Sequence, residues 1–420
     1  MQSRVENLGI RIQSFNRLTF PVVLNQVETT RLDKYFRVKI IESPQQLKKF
    51  IKESERGLLL YSFMTPQLPQ ILKEISWINH HRKPSLKTLA GGPHTGGDPE
   101  SSLKLGFDYA FCGAAEMGFG SVVQNYLEGK LPKVPAIFRT AEIDQLDRSL
   151  PISHLLPISP PLEITRGCYW NCKFCQTSCQ KAKHRSLDSV RMYYQELKRR
   201  GHHLRVSFIC PSAFEYGAAD ARKLNLTVVN ELLEYCKTNG TSHLEFGIFP
   251  SEARPNTFSD EFVALINQYC SNRKICIGGQ TGSNRLLKLI RRGHTAEQIE
   301  MACEISVRHR LRPYVDMIFG FPDENSQDRR ETLQLIRKLA TVYRARIHLH
   351  YFLPLAGTEL AQLRPRVLDY KTIDTLNKFE RDGLCTGWWK KGWQLSNELL
   401  EIQDYLKDQT VTYQNVQLAS

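Results

Sequence analysis

Apolar residues follow two periodicities that alternate along the chain. Phe36-Arg-Val-Lys-Ile-Ile reads as a strand, and Leu58-Leu-Leu-Tyr-Ser-Phe63 as a strand buried in a sheet. From Pro66 to about His81, Leu68, Ile71, Leu72, Ile75 and Ile78 recur at helical spacing. Thr88-Leu-Ala90 then runs into Gly91-Gly-Pro-His94. Pro99 to about Leu105 suits a short helix, Tyr109-Ala-Phe-Cys112 a strand, and Ser121 to Leu127 the start of a further helix. This alternation predicts a doubly wound parallel sheet over residues 1–130. Ligands on such sheets bind beyond the carboxyl ends of the strands. Gly91, Gly92, Gly96 and Gly97 lie at one such end, and Gly113 follows another. Glycine there lets a backbone approach a bulky ligand closely.

Residues 131–161 are irregular and carry Pro132, Pro135, Pro151, Pro157, Pro160 and Pro161, which marks a linker. From Leu162 to about residue 360 the alternation resumes as about six strand–helix units. The expected strands are Leu162–Thr165, Leu204–Ile209, Leu244–Phe249, Lys274–Ile277, Val315–Phe319 and Arg346–Phe352. The expected helices are Ser189–Arg200, Val228–Lys237, Phe262–Tyr269, Thr295–Arg308 and Gln327–Leu339. Thr295, with Gln298 three residues on, has the form of a capping box. Every strand ends in a small or polar cluster, the layout of a barrel or partial barrel with its site at the carboxyl face. A second doubly wound sheet would show the same alternation. Residues 361–420 read as a polar, helical tail. Trp388, Trp389 and Trp393 within it are expected to anchor the tail on the barrel, in preference to closing over its mouth.

A chain of 420 residues supports two or three domains with cores of their own. No apolar run reaches membrane-spanning length, and Met1-Gln-Ser-Arg-Val-Glu-Asn7 has no signal-peptide core. Eleven cysteines without a secretory signal point to a reducing, cytoplasmic setting and to metal chemistry in place of disulfides. The formal net charge of +14 raises nucleic-acid binding. The basic clusters, Lys198-Arg199-Arg200, Arg291-Arg292 and Lys390-Lys391, are short and scattered, however. A basic surface or pockets for phosphate groups fit them better than an RNA-binding module.

The candidate chemistry centres on Glu163-Ile-Thr-Arg-Gly-Cys168-Tyr-Trp-Asn-Cys172-Lys-Phe-Cys175. A loop of C-x3-C-x2-C spacing can turn three thiolates onto one soft metal centre. Structural zinc would need a fourth ligand and usually shows paired C-x2-C knuckles. A cubane cluster has four irons, so three cysteines leave one open. Cys179 is a fourth thiol that would close the site, and a free thiol is the preferred reading for it.

The three-cysteine loop, with aromatic Phe174 before its last cysteine, resembles the radical SAM superfamily. That resemblance implies a [4Fe–4S] cluster on Cys168, Cys172 and Cys175, S-adenosylmethionine (SAM) on the open iron, and a partial (β/α)6 barrel. Ala90-Gly-Gly-Pro-His94, Pro99-Glu100 and Asp108-Tyr-Ala-Phe-Cys-Gly113-Ala-Ala-Glu116 resemble the cobalamin-binding-like domain that precedes many such barrels. The family's Asp-x-His-x-x-Gly, whose histidine ligates cobalt from below, is absent, and His94 reads as a polar turn residue. Gln280-Thr-Gly-Ser283, Arg291-Arg-Gly-His294, Asp316-Met-Ile-Phe-Gly320-Phe-Pro and His350-Tyr-Phe-Leu-Pro354 look like the same subgroup.

At the strand ends, Arg254 suits a carboxylate, because its fork matches one bidentately. Ser251, Gln280 and Ser283 suit the ribose and methionine of SAM. Gly320 and His350 join this cofactor-facing set; His348 and His350 share one strand face, and Asp316 reads equally as a buried structural carboxylate. The resemblance implies reductive cleavage of SAM to a 5′-deoxyadenosyl radical. If cobalamin binds, it implies methyl transfer to an unactivated carbon or phosphorus centre; without cobalamin, rearrangement or ring formation. It also implies a flavodoxin- or ferredoxin-like electron donor, and leaves the small-molecule or macromolecular substrate unnamed. The rival class is a non-catalytic Fe–S or zinc protein that binds RNA through its basic surface.

Overall fold

The computed structural model describes residues 5–156, 158 and 160–418. Pro157 of the proline-rich segment and the first four residues of the amino-terminal stretch lie outside the described residues. The first sheet has seven parallel strands. Their order is Phe36–Ile41, Glu6–Arg11, Gly57–Ser62, Leu86–Gly91, Tyr109–Cys112, Ala136–Arg139 and Gln414–Gln417. The apolar run Gly57–Ser62 is buried throughout, as a central strand covered by helices on both faces must be. Helices Phe20–Thr29 and Phe119–Leu127 cover one face, and Pro44–Glu53 and Leu68–His81 the other. The strand order reverses between Glu6–Arg11 and Gly57–Ser62, so the switch-point crevice opens at Arg11 and Ser62.

Two parts of this sheet differ from expectation. Ala136–Arg139, inside the proline-rich stretch, is a strand, so the linker begins only after it. Four residues are too few to show a periodicity, and Pro132 and Pro135 lie just outside the strand, where they cost it no ladder bond. Gln414–Gln417 extends the same sheet from the far end of the chain.

The second domain is an arc of parallel strands in chain order. Leu162–Glu163 pairs with Phe208–Ile209, and Arg205–Val206 with His243–Leu244. An Ala253–Ile277 bridge leads on to Lys274–Gln280, Arg312–Phe319, Arg346–Tyr351 and Cys385–Gly387. The helices Leu187–Arg199, Leu226–Thr238, Asp260–Tyr269, Ala296–Arg308 and Ser326–Val342 wrap its outside. Thr295 forms the expected capping box with Gln298. The third expected strand is regular only over His243–Leu244.

The tail is less purely helical than expected. Helices Tyr370–Arg381 and Trp389–Lys407 alternate with the strand Cys385–Gly387, which joins the barrel, and the strand Gln414–Gln417, which joins the first sheet. Trp389 is 1% exposed, and its Nε1 donates to Glu380 Oε1 at 2.9 Å. Trp393 stacks on Tyr351 with ring centroids 5.8 Å apart. Leu399 and Leu406 pack beside Phe63 and Ile71 of the first domain. Trp389 and Trp393 are therefore anchors, and the long helix straps the two domains together. Among the described residues no helix is long and apolar enough to cross a membrane.

Candidate active site

The segment from Gly167 to Lys181 is a closed loop. Thr165–Arg166 pairs antiparallel with Lys183–His184, and Cys168 N donates to Gln180 O at 3.0 Å. Arg166 fixes the entry by a two-pronged pair with Glu163 at 2.8 Å and by Glu116 of the first domain at 2.9 Å. Inside the loop, Lys173 N bonds to Ile290 O, and Leu360 N to Lys173 O. Phe174 meets Phe321 edge-on at 5.3 Å, in an apolar cluster with Leu286, Ile290, Phe352 and Leu360. The last barrel strands thus clamp the cysteine loop.

Cys172 is buried, and Cys168 and Cys175 are half-buried. Two cations crowd Cys172: Arg254 Nη1 lies 3.8 Å and Arg292 Nη1 3.6 Å from its sulfur. Arg254 is 3% exposed, packs its guanidinium over the Trp170 ring at 4.1 Å, and donates through Nη2 to the Arg292 carbonyl. Trp170 in turn donates to Glu215 Oε1 at 2.6 Å. Gly293, at φ 73°, is required here, because a β-carbon would collide with the Trp170 ring. Burial, and then the neighbouring Arg292, lower Arg254 to about 10. Burial raises the Cys168 thiol to about 11, so a thiolate at that position calls for a metal.

These residues fit an anionic cluster. The Cys172 thiol faces two guanidinium groups, of which Arg254 is buried, and Arg254 Nε and Arg292 Nε lie buried without protein partners. Buried donors are ordinarily satisfied, so the site is built for a group that brings acceptors. Nothing in the sequence marks Trp170 or Glu215 as part of a site. The Arg291-Arg292 pair is visible there, but only contact with Cys172 separates it from a surface charge.

The other expected site residues divide into two groups. Gln280 is buried at the end of Lys274–Gln280, at φ 73°, where the pairing with the next strand slips by one residue. Its amide and the Arg292 guanidinium both close over Gly278. Ser283, by contrast, uses its hydroxyl proton on Asp328 Oδ1 at 2.7 Å and caps helix Asn284–Leu289. Ser251 donates to Ile248 O at 3.0 Å in a buried turn. Gly320 has φ 83°, and its missing side chain makes room for the Tyr351 ring. For these three the structure supplies a packing or capping reason. His350 lies with His348 around Asp316.

In the first domain, Gly92 at φ 91° accommodates the neighbouring strand end at Ser62 and Phe63, and Gly113 at φ 115° accommodates Thr140. Gly91 has only ordinary contacts. His94 is buried and bonded at both ring nitrogens, to Thr65 Oγ1 at 3.1 Å and Ser101 Oγ at 2.7 Å. Burial lowers it to about 4.

The carboxyl edge of the first sheet meets the cysteine loop directly. Gln176, next to Cys175, donates its amide to Pro93 O at 3.2 Å and to Ala356 O at 2.8 Å. Gly97 and Gly357 bring the two backbones too close for any side chain on either. Cys179 is exposed, and its thiol donates to Gly357 O at 3.3 Å.

The sequence model of the Radical SAM superfamily matches residues 162–336. The threonylcarbamoyladenosine tRNA methylthiotransferase of Aquifex aeolicus is 26% identical over 296 residues, 68% of each chain. The radical S-adenosylmethionine methyltransferase TsrM of Kitasatospora setae, solved with cobalamin and a [4Fe–4S] cluster, matches with a TM-score of 0.57. Its identity is 14%, over 86% of this chain and 74% of that one. The cobalamin-dependent radical enzyme OxsB, solved with aqua-cobalamin and SAM, matches with a TM-score of 0.55 at 14% identity, over 80% of this chain and 52% of its own. At such identity the two structures speak to the fold, and both share the sheet domain followed by the partial barrel. Three thiols are thus clamped at the barrel's first strand inside the stretch that matches the Radical SAM superfamily model, and the fold around them, a parallel-sheet domain followed by a partial barrel, is similar to that of these two structures.

Proposed function

We propose that this chain cleaves SAM reductively at a [4Fe–4S] cluster held by Cys168, Cys172 and Cys175, and couples that cleavage to methyl transfer from a corrinoid held by the first domain. When bound, the cluster supplies one electron to the sulfonium of SAM, whose C5′–S bond breaks to methionine and a 5′-deoxyadenosyl radical. Arg254 and Arg292 balance the charge of the thiolates at Cys172. Arg254 is also the side chain suited to the carboxylate of SAM, with Gln280 beside it, whereas Ser251 and Ser283 keep their turns in shape. Phe174 and its apolar neighbours exclude water from one side of the loop. A one-electron donor of the flavodoxin or ferredoxin kind completes the reaction, and the basic surface suits an acidic one.

The observation that carries the corrinoid part is the bond from Gln176 to Pro93 O, which sets the carboxyl edge of the first sheet beside the cluster loop. Ligands of such sheets lie at that edge. Ser62 Oγ and Gln13 Oε1, buried there without partners, fit a polar ligand. His94 is committed at both nitrogens, so we expect no imidazole below the cobalt. The test adds hydroxocobalamin to reconstituted protein, removes the excess and records the spectrum. Retained corrinoid whose Co(II) form shows no imidazole-nitrogen coupling in paramagnetic resonance is the expected result. No retained corrinoid would leave the radical alone, for rearrangement or ring formation. A coordinating histidine would overturn the open lower face.

Replacing Arg254 by Ala should leave the cluster assembled and weaken SAM binding roughly tenfold to a hundredfold, the loss of about 1.5–3 kcal/mol expected for a charged contact. Equilibrium dialysis measures it, and an unchanged dissociation constant removes Arg254 from the SAM site.

A second reading takes RNA as the substrate. The Aquifex relative's name assigns it to tRNA, and the net charge here is +14. Retarded migration of a tRNA transcript, weakening steeply with salt, would favour it; no retardation at low salt would end it.

A further inference from the structure

Strands Arg312–Phe319 and Arg346–Tyr351 pair in register, with Asp316 beside His348 and Ile318 beside His350. Val315, Met317, Phe319, Ile347 and Leu349 point outward to the helix layer, into the core that holds Leu335, Ile336 and Leu339. The opposite face is therefore the inside of the barrel. Ile318 on that face packs in the cluster that includes Phe174 of the cysteine loop, which orients the face toward the radical site.

On that inner face three ligand atoms converge. His348 Nδ1 lies 3.2 Å and His350 Nε2 3.3 Å from the same oxygen, Asp316 Oδ1, and all three ligand atoms lie within 4.8 Å of one another. A tetrahedral ion with bonds of about 2.0–2.1 Å holds its ligands about 3.4 Å apart, so these separations are close to those of a coordination sphere. The rings are nearly perpendicular, at 86°, with centroids 4.4 Å apart, so each can aim a nitrogen at a common point without stacking. Trp388 lies edge-on to His350 at 5.9 Å and walls one side. Glu252, which follows strand His243–Leu244, is raised to about 7 by burial and then by the nearby Asp316.

We propose that Asp316, His348 and His350 form a metal-binding site inside the barrel, separate from the cysteine loop, for a divalent ion of the zinc or iron(II) class. Two imidazoles and one carboxylate are the donor set that suits such ions, and three protein ligands leave a position open toward the lumen. An ion there offers a Lewis acid to whatever substrate enters the barrel, and so selects substrates with an oxygen or nitrogen donor.

The test uses the full chain, reconstituted with its cluster, and zinc alone as the probe. After equilibrium dialysis, wild-type protein should retain about one zinc per chain with its iron content unchanged. His348→Ala and His350→Ala should each lose affinity roughly tenfold or more. Asp316→Asn, nearly isosteric, should do the same without disturbing the strands, which covers the case where a histidine variant misfolds. X-ray absorption at the zinc edge should show nitrogen and oxygen neighbours only. Zinc retained equally by all variants, a sulfur-containing shell, or no zinc on the wild type would each overturn the proposal and leave a hydrogen-bonded triad.

Discussion

Each of Cys168→Ala, Cys172→Ala and Cys175→Ala is expected to leave anaerobically reconstituted protein without the charge-transfer absorbance of a cluster and without detectable SAM cleavage. Each substitution removes a ligand that nothing nearby can replace. Cys179 is the only other thiol within a few residues, and it is exposed and tied to the Gly357 carbonyl on the side facing the first domain. Cys179→Ala should therefore keep both absorbance and cleavage. Loss of the cluster in that variant would make it a fourth ligand and close the site. Purified protein that holds zinc firmly at the three cysteines and binds no SAM would point to the non-catalytic rival.

Trp389→Ala should lower stability by about 3–5 kcal/mol, the usual result of truncating a fully buried aromatic. The ring belongs to the main core of the barrel and is bonded to Glu380. Trp389→Phe should cost less, mainly the hydrogen bond, at about 1 kcal/mol. The shift of the urea midpoint measures both. A shift below about 1 kcal/mol for the alanine variant would mean that the strap helix is held from its other side, by Leu399 and Leu406.

Long, strongly patterned elements are legible in the amino-acid sequence itself. Leu68–His81 and Ala296–Arg308 bury the faces their apolar spacing marks. The strands Ala136–Arg139, Cys385–Gly387 and Gln414–Gln417 are hidden for one reason. At three or four residues their pattern carries almost no information, and their pairing comes from neighbours supplied by the rest of the chain. The site is legible to the extent that covalent spacing defines it. The cysteines lie within eight residues of one another, so their grouping needs no folding to bring it about. Arg254 and Arg292 meet at Cys172 only through folding, and the same letters read equally well as surface charges. The glycines mislead in part. Gly92 and Gly113 have backbone angles that demand glycine, yet the atoms that would clash belong to the protein itself.

The first sheet is completed by a strand made long after its other six. When Arg139 emerges, the edge of Ala136–Arg139 has no neighbour on its outer side; its partner, Gln414–Gln417, follows about 275 residues later. At a synthesis rate of about 5–20 residues per second, that edge stays open for about 14 to 55 s. An open parallel edge is a template for unwanted pairing between nascent chains. During that interval Pro132, Pro135 and the charged Arg139 are what guard it, since proline and charge blunt a strand's edge. The N-terminal half can thus begin to fold early but reaches its final sheet only once Gln414–Gln417 has been made, and deleting that strand reopens the edge of the first domain.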